Sequence, residues 1–386
     1  MKRIFLVPLI FLSLGVLIFL GLSVQASSAQ TPQTIKIGAL VPYTGNAAGE
    51  GPPIERGINF ALDEVNRRVA GKSITLKIED ETEDPTIAVA KAKKLVEQDK
   101  VDVIIGPLLA HTAVAVGAYL APLGIPNLSS TPSNVVESKD TLYHNGTARG
   151  NAYPSGLFSY DDLKARKAAI IYQDYLYGEQ IRDGFKAAFT ARGGTITSEQ
   201  KVPLGTADMA PYIEGMGKPD VVCLLLVSPS DVGFMKQYRQ AGLTLPAIFG
   251  QSFPQGEIWK LKEVGDSILG MYGVAAYSPW IDIPDNKRFV DKFQRKYGFQ
   301  PGVTTMVAGY FPTFVYLNAL KSTGGNVNST KIIQAIDSTK NLPSPLGAFS
   351  MRNRIGVTDE YVFKAVKIGN DINWQVVKKY PSVQPR

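Results

Sequence analysis

Short apolar runs alternate with longer stretches of helical periodicity along most of this chain, and the alternation is regular enough to order the elements. Residues 35–41 alternate apolar and polar positions and then turn continuously apolar, as a parallel strand covered on both faces does. The glycine-rich loop 45–51 follows. After Pro52 and Pro53, which suit a first helical turn, Ile54, Ile58, Ala61, Leu62 and Val65 fall on one helical stripe. Residues 74–78 predict a second strand, the acidic loop 79–84 leads to Pro85, and Ala88, Ala92, Leu95 and Val96 mark the inward face of a second helix. The run 101–105 predicts a third strand, ending at Gly106-Pro107. A polar loop, 108–112, a helix of small residues and the apolar run 125–128 then deliver the chain to Ser129-Ser130-Thr131-Pro132-Ser133-Asn134.

After Asn145 the pattern restarts, with strands predicted over 168–172, 195–202 and 221–227 and a short one over 247–249. Helices are predicted over 178–192, with Ile181, Phe185, Ala188 and Phe189 inward, and over 230–241. Helical stretches around 289–297, 311–320 and 332–336 are expected to return to the first half, and 362–368 with 374–377 to close the chain as antiparallel strands. Strands joined by helices of this length need right-handed crossovers in a parallel sheet, so the expected fold is α/β, with two doubly wound lobes. In such sheets small ligands bind outside the carboxyl ends of the strands, where helix N-termini and loop amides converge. The stretch 101–134 supplies two such strand ends, and Tyr175 and Tyr177 stand at the corresponding place in the second series.

Composition agrees with two globular lobes: 386 residues, 45% hydrophobic, with 36 glycines and 25 prolines. The first 29 residues belong to neither. Lys2 and Arg3 precede an uncharged stretch, 4–24, and the small residues Ala26-Ser27-Ser28-Ala29, which is the layout of a signal peptide cleaved near Gln30. Cys223 is the only cysteine, so no disulfide framework exists, and no cysteine near the cleavage site offers lipid attachment. Export without an anchor predicts a periplasmic protein. The formal charge of +7 falls to +5 once Lys2 and Arg3 are lost, and the basic residues are scattered rather than clustered, which argues against nucleic acid as a partner.

Several motifs fail on inspection. The loop 45–51 opens a helix after a strand, but Pro52-Pro53-Ile54 stands where a dinucleotide fingerprint needs its third glycine, and no Lys-Ser/Thr of a P-loop follows. Gly250-Gln251-Ser252-Phe253-Pro254 departs from a nucleophile elbow at its last residue, and both histidines, His111 and His144, precede it. Ser198-Glu199-Gln200-Lys201 reads as a solvated edge strand. The carboxylates Glu79, Asp80, Glu81, Glu83 and Asp84 lack the glycine and distal glutamate of an EF-hand loop, so a solvated turn is expected there. No spacing suits zinc. The chain therefore reads as a binding protein with no metal, cofactor or enzymatic centre. His111 is open to two readings, a donor to a ligand or a surface residue; the loop placement of Tyr175 and Tyr177 favours facing a ligand over packing.

The order of these features resembles the type I periplasmic binding proteins of ABC importers, in the branch of the leucine/isoleucine/valine-binding proteins. The matching stretches are 35–45 with its Pro42-Tyr43-Thr44-Gly45 turn, 80–85, 103–107, 125–134, 169–178 ending in Tyr177-Gly178, and 237–243 before Phe249-Gly250. The resemblance implies two lobes joined by a three-segment hinge, with lobe 1 formed by 30–152 plus 281–355 and lobe 2 by 153–280 plus 356–386. It also implies closure on a small ligand, delivery to an inner-membrane ABC permease, and a monomer. Carried over by position, ligand contacts fall on Ala110, Thr131 and Ser133 in lobe 1 and on Tyr177, Ser228 and Ser252 in lobe 2, with His111, Tyr175 and Phe253 beside them.

Two departures bear on the ligand. The family's usual serine is Ala110 here, and the carboxylate that usually pairs with a ligand ammonium is Ser252. Burying an unpaired ammonium costs several kcal/mol, so an amino acid would need another acid, for which Asp174 and Asp231 are the candidates. A carboxylate-bearing ligand without an ammonium, aromatic or aliphatic, is the preferred expectation, with Tyr43, Tyr175, Tyr177 and Phe253 as candidate walls; a branched-chain or other amino acid is the alternative. Two cysteines of the family are absent together, at the positions of Glu83 and Leu109. A third reading, a ligand-sensing ectodomain without transport, needs an uncleaved 4–24 segment or a signalling partner. Mass spectrometry of the mature N-terminus separates these: a chain beginning near Gln30 is expected, and retention of residues 4–24 would favour the sensor.

Overall fold

The computed structural model describes Met1 and residues 34–131, 141–142, 146–251 and 258–383. The predicted signal peptide, its cleavage site, His144 and the site candidates Ser133, Ser252 and Phe253 lie outside the described residues. The first series runs β1 (Ile35–Val41), α1 (Gly51–Glu64), β2 (Arg68–Val69), β3 (Lys72–Asp80), α2 (Pro85–Lys93), β4 (Val103–Ile105), α3 (Ala110–Leu120), β5 (Asn127–Leu128) and β6 (Thr141–Leu142). The second runs α4 (Ala148–Asp161), β7 (Lys167–Gln173), α5 (Leu176–Ala191), β8 (Thr195–Val202), α6 (Ala210–Glu214), β9 (Val221–Leu225), α7 (Ser230–Gln240), β10 (Ala247–Phe249), α8 (Ile258–Val264) and β11 (Tyr272–Ala275). Then come α9 (Pro284–Tyr297), α10 (Phe311–Ser322), α11 (Ser329–Asp337), β12 (Leu342–Ser344), β13 (Gly347–Arg352), β14 (Ile355–Ile368) and β15 (Asp371–Val383).

Both sheets are doubly wound in the same sense. The first has the order β2-β3-β1-β4-β5-β6, parallel from β3 to β6. The second contains β8-β7-β9-β10-β11 in parallel, extended by antiparallel β14, to which β13 and β15 pair. Strand order therefore reverses at equivalent places, between β1 and β4 in one lobe and between β7 and β9 in the other. The crevice at such a switch point is where an open α/β sheet holds a ligand.

Each lobe has its own apolar core. The first draws on β1, β3 and β4 and on the returning helices, with Phe60, Phe289, Phe293, Phe311 and Tyr316 packed together. The second lobe's sheet is covered on both faces, by clusters around Phe234, Tyr238 and Trp374 on one and Phe185, Phe189 and Cys223 on the other. The predicted return of the later helices is correct, since Phe289, Phe311 and Ile332 all join the first core. The chain passes between the cores three times, and β14 itself makes the last passage: Ile355 to Val357 pair with β13, while Tyr361 to Lys364 pair with β11.

Two expectations change. The sequence reading has no helix between Asn145 and the strand at 168, yet α4 fills that interval. Its inward face carries Asn151, Ser155 and Ser159 and an internal Pro154, so no apolar stripe announces it. The closing strands are also longer than expected, because β15 is a largely exposed edge whose polar residues give no burial signal. Residues 195–202, read as a solvated edge strand, do lie at the sheet edge.

Helices cross backbone to backbone at a pair of glycines in each lobe. A Cβ on Gly57 would stand 2.1 Å from the Thr305 carbonyl oxygen, and one on Gly309 2.2 Å from that of Ile54. Gly156 and Gly184 meet α5 and α4 in the same manner, at 2.4 Å from the Phe185 and 2.3 Å from the Arg149 carbonyl oxygens. Backbone cannot yield cheaply to such contacts, so Gly57→Ala is expected to destabilise the protein by about 2 kcal/mol or more, the overpacking range. Urea denaturation with unchanged slope and a lower midpoint is the measurement.

Candidate functional site

The acidic loop after β3 organises the rim of the first lobe, and it is not the solvated turn expected from its composition. Each of its five carboxylates has a separate task. Glu79 pairs with Lys91 at 3.0 Å and with Lys94. Asp80 accepts from the Tyr43 amide (2.9 Å), the Thr44 hydroxyl (2.7 Å) and the Thr82 amide (3.0 Å), fixing the loop that leaves β1. Glu83 accepts from Asn46 Nδ2 and the Ala47 amide, both at 3.1 Å. Asp84 caps α2, accepting from the Thr86 amide at 2.7 Å. Glu81 is fully buried, and its two oxygens accept from the amides of Leu108 (2.6 Å) and Leu109 (2.9 Å), immediately before α3.

Burial pushes the Glu81 carboxyl up to about 8, against the two amides and the Thr112 hydroxyl, which favour the ionised form, and with a further push from Asp80. Beyond Leu109, the first-turn amides of Ala110, His111 and Thr112 have no helical carbonyl to bond, as at any helix start. With Glu81 largely in its acid form at neutral pH, the positive end of α3 is not cancelled by a neighbouring charge. His111 braces the loop: its Nε2 lies 3.0 Å from the Glu83 carbonyl oxygen and donates to it. Thr131, buried, follows β5, where Ser129 donates to its carbonyl and Ser130 to that of Ala308.

In the second lobe Tyr175 and Tyr177 follow β7, half-buried, with ring centroids 6.1 Å apart. Burial and the nearby charge of Glu50 both raise the Tyr175 hydroxyl. Glu50 belongs to the first lobe, so this pair spans the cleft, as does the approach of Gly205 to Asn46. Gln173 locks the strand ends: its Nε2 donates to the carbonyls of Val202 (3.0 Å) and Pro203 (2.7 Å), and its Oε1 accepts from the Val227 amide (3.1 Å). Ser228 follows β9, the strand whose place in the second sheet corresponds to that of β4 in the first. Its hydroxyl donates to Asp231, 3.0 and 3.3 Å from the two carboxylate oxygens.

The structure thus places Ala110, His111, Thr131, Tyr175, Tyr177 and Ser228 at strand ends of the two facing crevices. Tyr43, a candidate wall, is instead exposed and donates its hydroxyl to Glu55 of α1 at 2.6 Å. Of the acids proposed for an ammonium, Asp174 is half-exposed and paired with Lys201 at 2.8 Å. Asp231 is buried and also accepts from the Val232 amide at 2.6 Å. Glu81 was not among the sequence candidates, since nothing in a run of acids singles one out. Asp231 had a signal, the Ser-x-x-Asp spacing of a helix start. Among the described residues, no group of three His, Cys, Asp or Glu side chains is placed to hold a metal, and no helix is long and apolar enough to cross a membrane.

A family model described as "Periplasmic binding protein" matches residues 34–370. Leu/Ile/Val-binding protein homolog 6 of Brucella suis is 27% identical over 322 residues, covering 81% of this chain and 82% of its own. A solute-binding protein of an ABC transporter from Rhodopseudomonas palustris BisB5, solved with 3,4-dihydroxybenzoic acid, superposes with a TM-score of 0.83 at 28% identity, over 91% of this chain and 98% of that one. One from R. palustris solved with 4-hydroxybenzoate gives 0.82 at 25% identity, over 91% and 98%.

The Glu81 geometry predicts a pH dependence of stability. Its folded value, about 8, lies above the ordinary 4.5, so the folded state takes up a proton that the unfolded chain has lost. Its stabilising contribution is present in full below about pH 4.5 and is lost as pH rises through 8, by up to roughly 3–5 kcal/mol at about 1.4 kcal/mol per pH unit. Denaturation at pH 5.5, 7 and 9 should show this decline in the wild type and a flatter profile in Glu81→Gln.

Proposed function

The chain belongs to the type I periplasmic binding proteins of the branched-chain amino acid transporter family, and from that premise we propose that it is the periplasmic, monomeric substrate-binding component of an ABC importer. It captures a small aromatic carboxylate between its lobes and delivers it to an inner-membrane permease, with no catalytic step. The lobe boundaries proposed are 152/153, 280/281 and 355/356, with Ser133, Ser252 and Phe253 completing the site and the mature chain starting near Gln30.

One observation carries the ligand class. The first lobe offers unbonded first-turn amides beside an acid kept neutral by burial, while Asp174, the acid nearest Tyr175 in sequence, is half-exposed and paired with Lys201. Such a cleft suits an anion without an ammonium group, and the tyrosine pair suits a flat ring. The hydroxybenzoates held by two similar proteins support this reading. Contacts to both lobes exist only when the lobes close, so binding shifts the population towards the closed form.

The second reading is a branched-chain amino acid, favoured by the names of the Brucella relatives and by the buried Asp231 behind Ser228. Thermal shift separates the two, because a ligand at 100 times its dissociation constant stabilises by about 2.7 kcal/mol. Benzoate and 4-hydroxybenzoate are expected to raise the melting temperature and leucine to leave it unchanged. A shift with leucine and none with the benzoates reverses the assignment. Tyr177→Ala should weaken the productive ligand at least tenfold with the fold intact.

A further inference from the structure

The second lobe carries a polarity that the reading above leaves unused. Ser228 has one hydroxyl proton, and that proton points inward, since the oxygen lies 3.0 and 3.3 Å from the two carboxylate oxygens of Asp231. The serine hydroxyl donates in this pair, with both carboxyl oxygens of Asp231 within its reach. Asp231 has no solvent exposure, stands in the first turn of α7 where negative charge is favoured, and takes the Val232 amide at 2.6 Å. What half-buried Ser228 presents at the end of β9 is therefore a pair of lone pairs, its proton being turned inward to Asp231.

A ligand carboxylate is repelled from such a position, and a bare ring C–H leaves the Ser228 oxygen desolvated without a partner. A hydroxyl donating to Ser228 meets neither cost. Sites built around a ligand hydroxyl discriminate strongly against the analogue that lacks it, because a buried polar group is then left unpaired. Across the cleft, Ala110 opens the helix that follows β4, the strand corresponding to β9, and the first turn there offers amide N–H groups, which donate. The two crevices are thus complementary to the two ends of one molecule.

Resting on the cleft reading above, we infer that Ser228, oriented by Asp231, is an acceptor subsite for a ring hydroxyl, so that the ligand is a hydroxylated aromatic carboxylate lying with its carboxylate on the first lobe and its hydroxyl on the second. Asp231 is a positioning residue, acting through the direction in which it holds the Ser228 proton.

Calorimetric titration of the mature protein with benzoate, 4-hydroxybenzoate, 3,4-dihydroxybenzoate and leucine tests this. Wild type is expected to bind the hydroxylated acids at least tenfold more tightly than benzoate. In Asp231→Asn the carboxamide N–H donates to Ser228, which frees the hydroxyl to donate outward, and the ratio should fall below threefold while benzoate still binds. Ser228→Ala, which leaves the buried carboxylate in place, should lower the ratio likewise and serves if the asparagine variant does not fold. Equal affinities for benzoate and 4-hydroxybenzoate in wild type, or an unchanged ratio in the folded variants, overturns the subsite while leaving the aromatic-carboxylate reading intact. Binding of leucine alone overturns both.

Discussion

A buried carboxyl group, that of Glu81, holds the first lobe's rim in the shape on which any capture by this protein depends. It reaches from the end of β3 to the amides of Leu108 and Leu109, bridging the two strand ends that flank β1. Two part-buried amides left without this partner would weaken the fold, so the bonds from Glu81 restrict the loop between β4 and α3. The same loop sets where α3 begins, and hence where its first-turn amides point. Glu83 and Leu109 stand at the two positions where the resemblance implies the loss of a cysteine pair. Here the link is noncovalent: His111 donates to the Glu83 carbonyl while Glu81 takes the Leu109 amide.

The opposite rim follows the same architectural rule with the opposite chemistry. Gln173 closes the strand ends of β7, β8 and β9 through three hydrogen bonds, as Glu81 does for its own sheet, but it has no ionisable group. The buried acid of the second rim is Asp231, which takes the Ser228 proton inward and leaves the serine oxygen to accept. One rim donates through backbone amides and the other accepts through a hydroxyl oxygen. That difference arises on two sheets whose five parallel strands have the same order, which illustrates how specificity is set by strand-end residues while topology sets only their location.

Closure needs a hinge, and here the chain passes between the two cores in three places. The last of these is a strand, β14, hydrogen-bonded to β13 at one end and to β11 at the other. A strand shared in this way resists shear but bends, so relative motion of the lobes is directed towards opening and closing of the cleft. The lobes approach each other where Glu50 acts on the Tyr175 hydroxyl and where Asn46 stands close to Gly205.

The periodicity of apolar positions determined by itself the succession of strands and helices, the two doubly wound lobes and the strand ends near 106–112, 129–134 and 175–177, while Ala110, Thr131 and Ser228 were singled out only by the family resemblance. It could do so because burial of a sheet between helices imposes a pattern on neighbouring residues. Helix α4 escaped it, since Asn151, Ser155 and Ser159 are buried there through hydrogen bonds and close packing and carry no hydrophobic mark. Only the tertiary structure decided which acid of the 79–84 run is buried, that Asp174 is spent on Lys201, that Tyr43 turns away to Glu55, and which way the Ser228 proton points. Those outcomes depend on partners brought together from distant parts of the chain, and a carboxylate's role is fixed by what surrounds it in space, which local sequence does not encode.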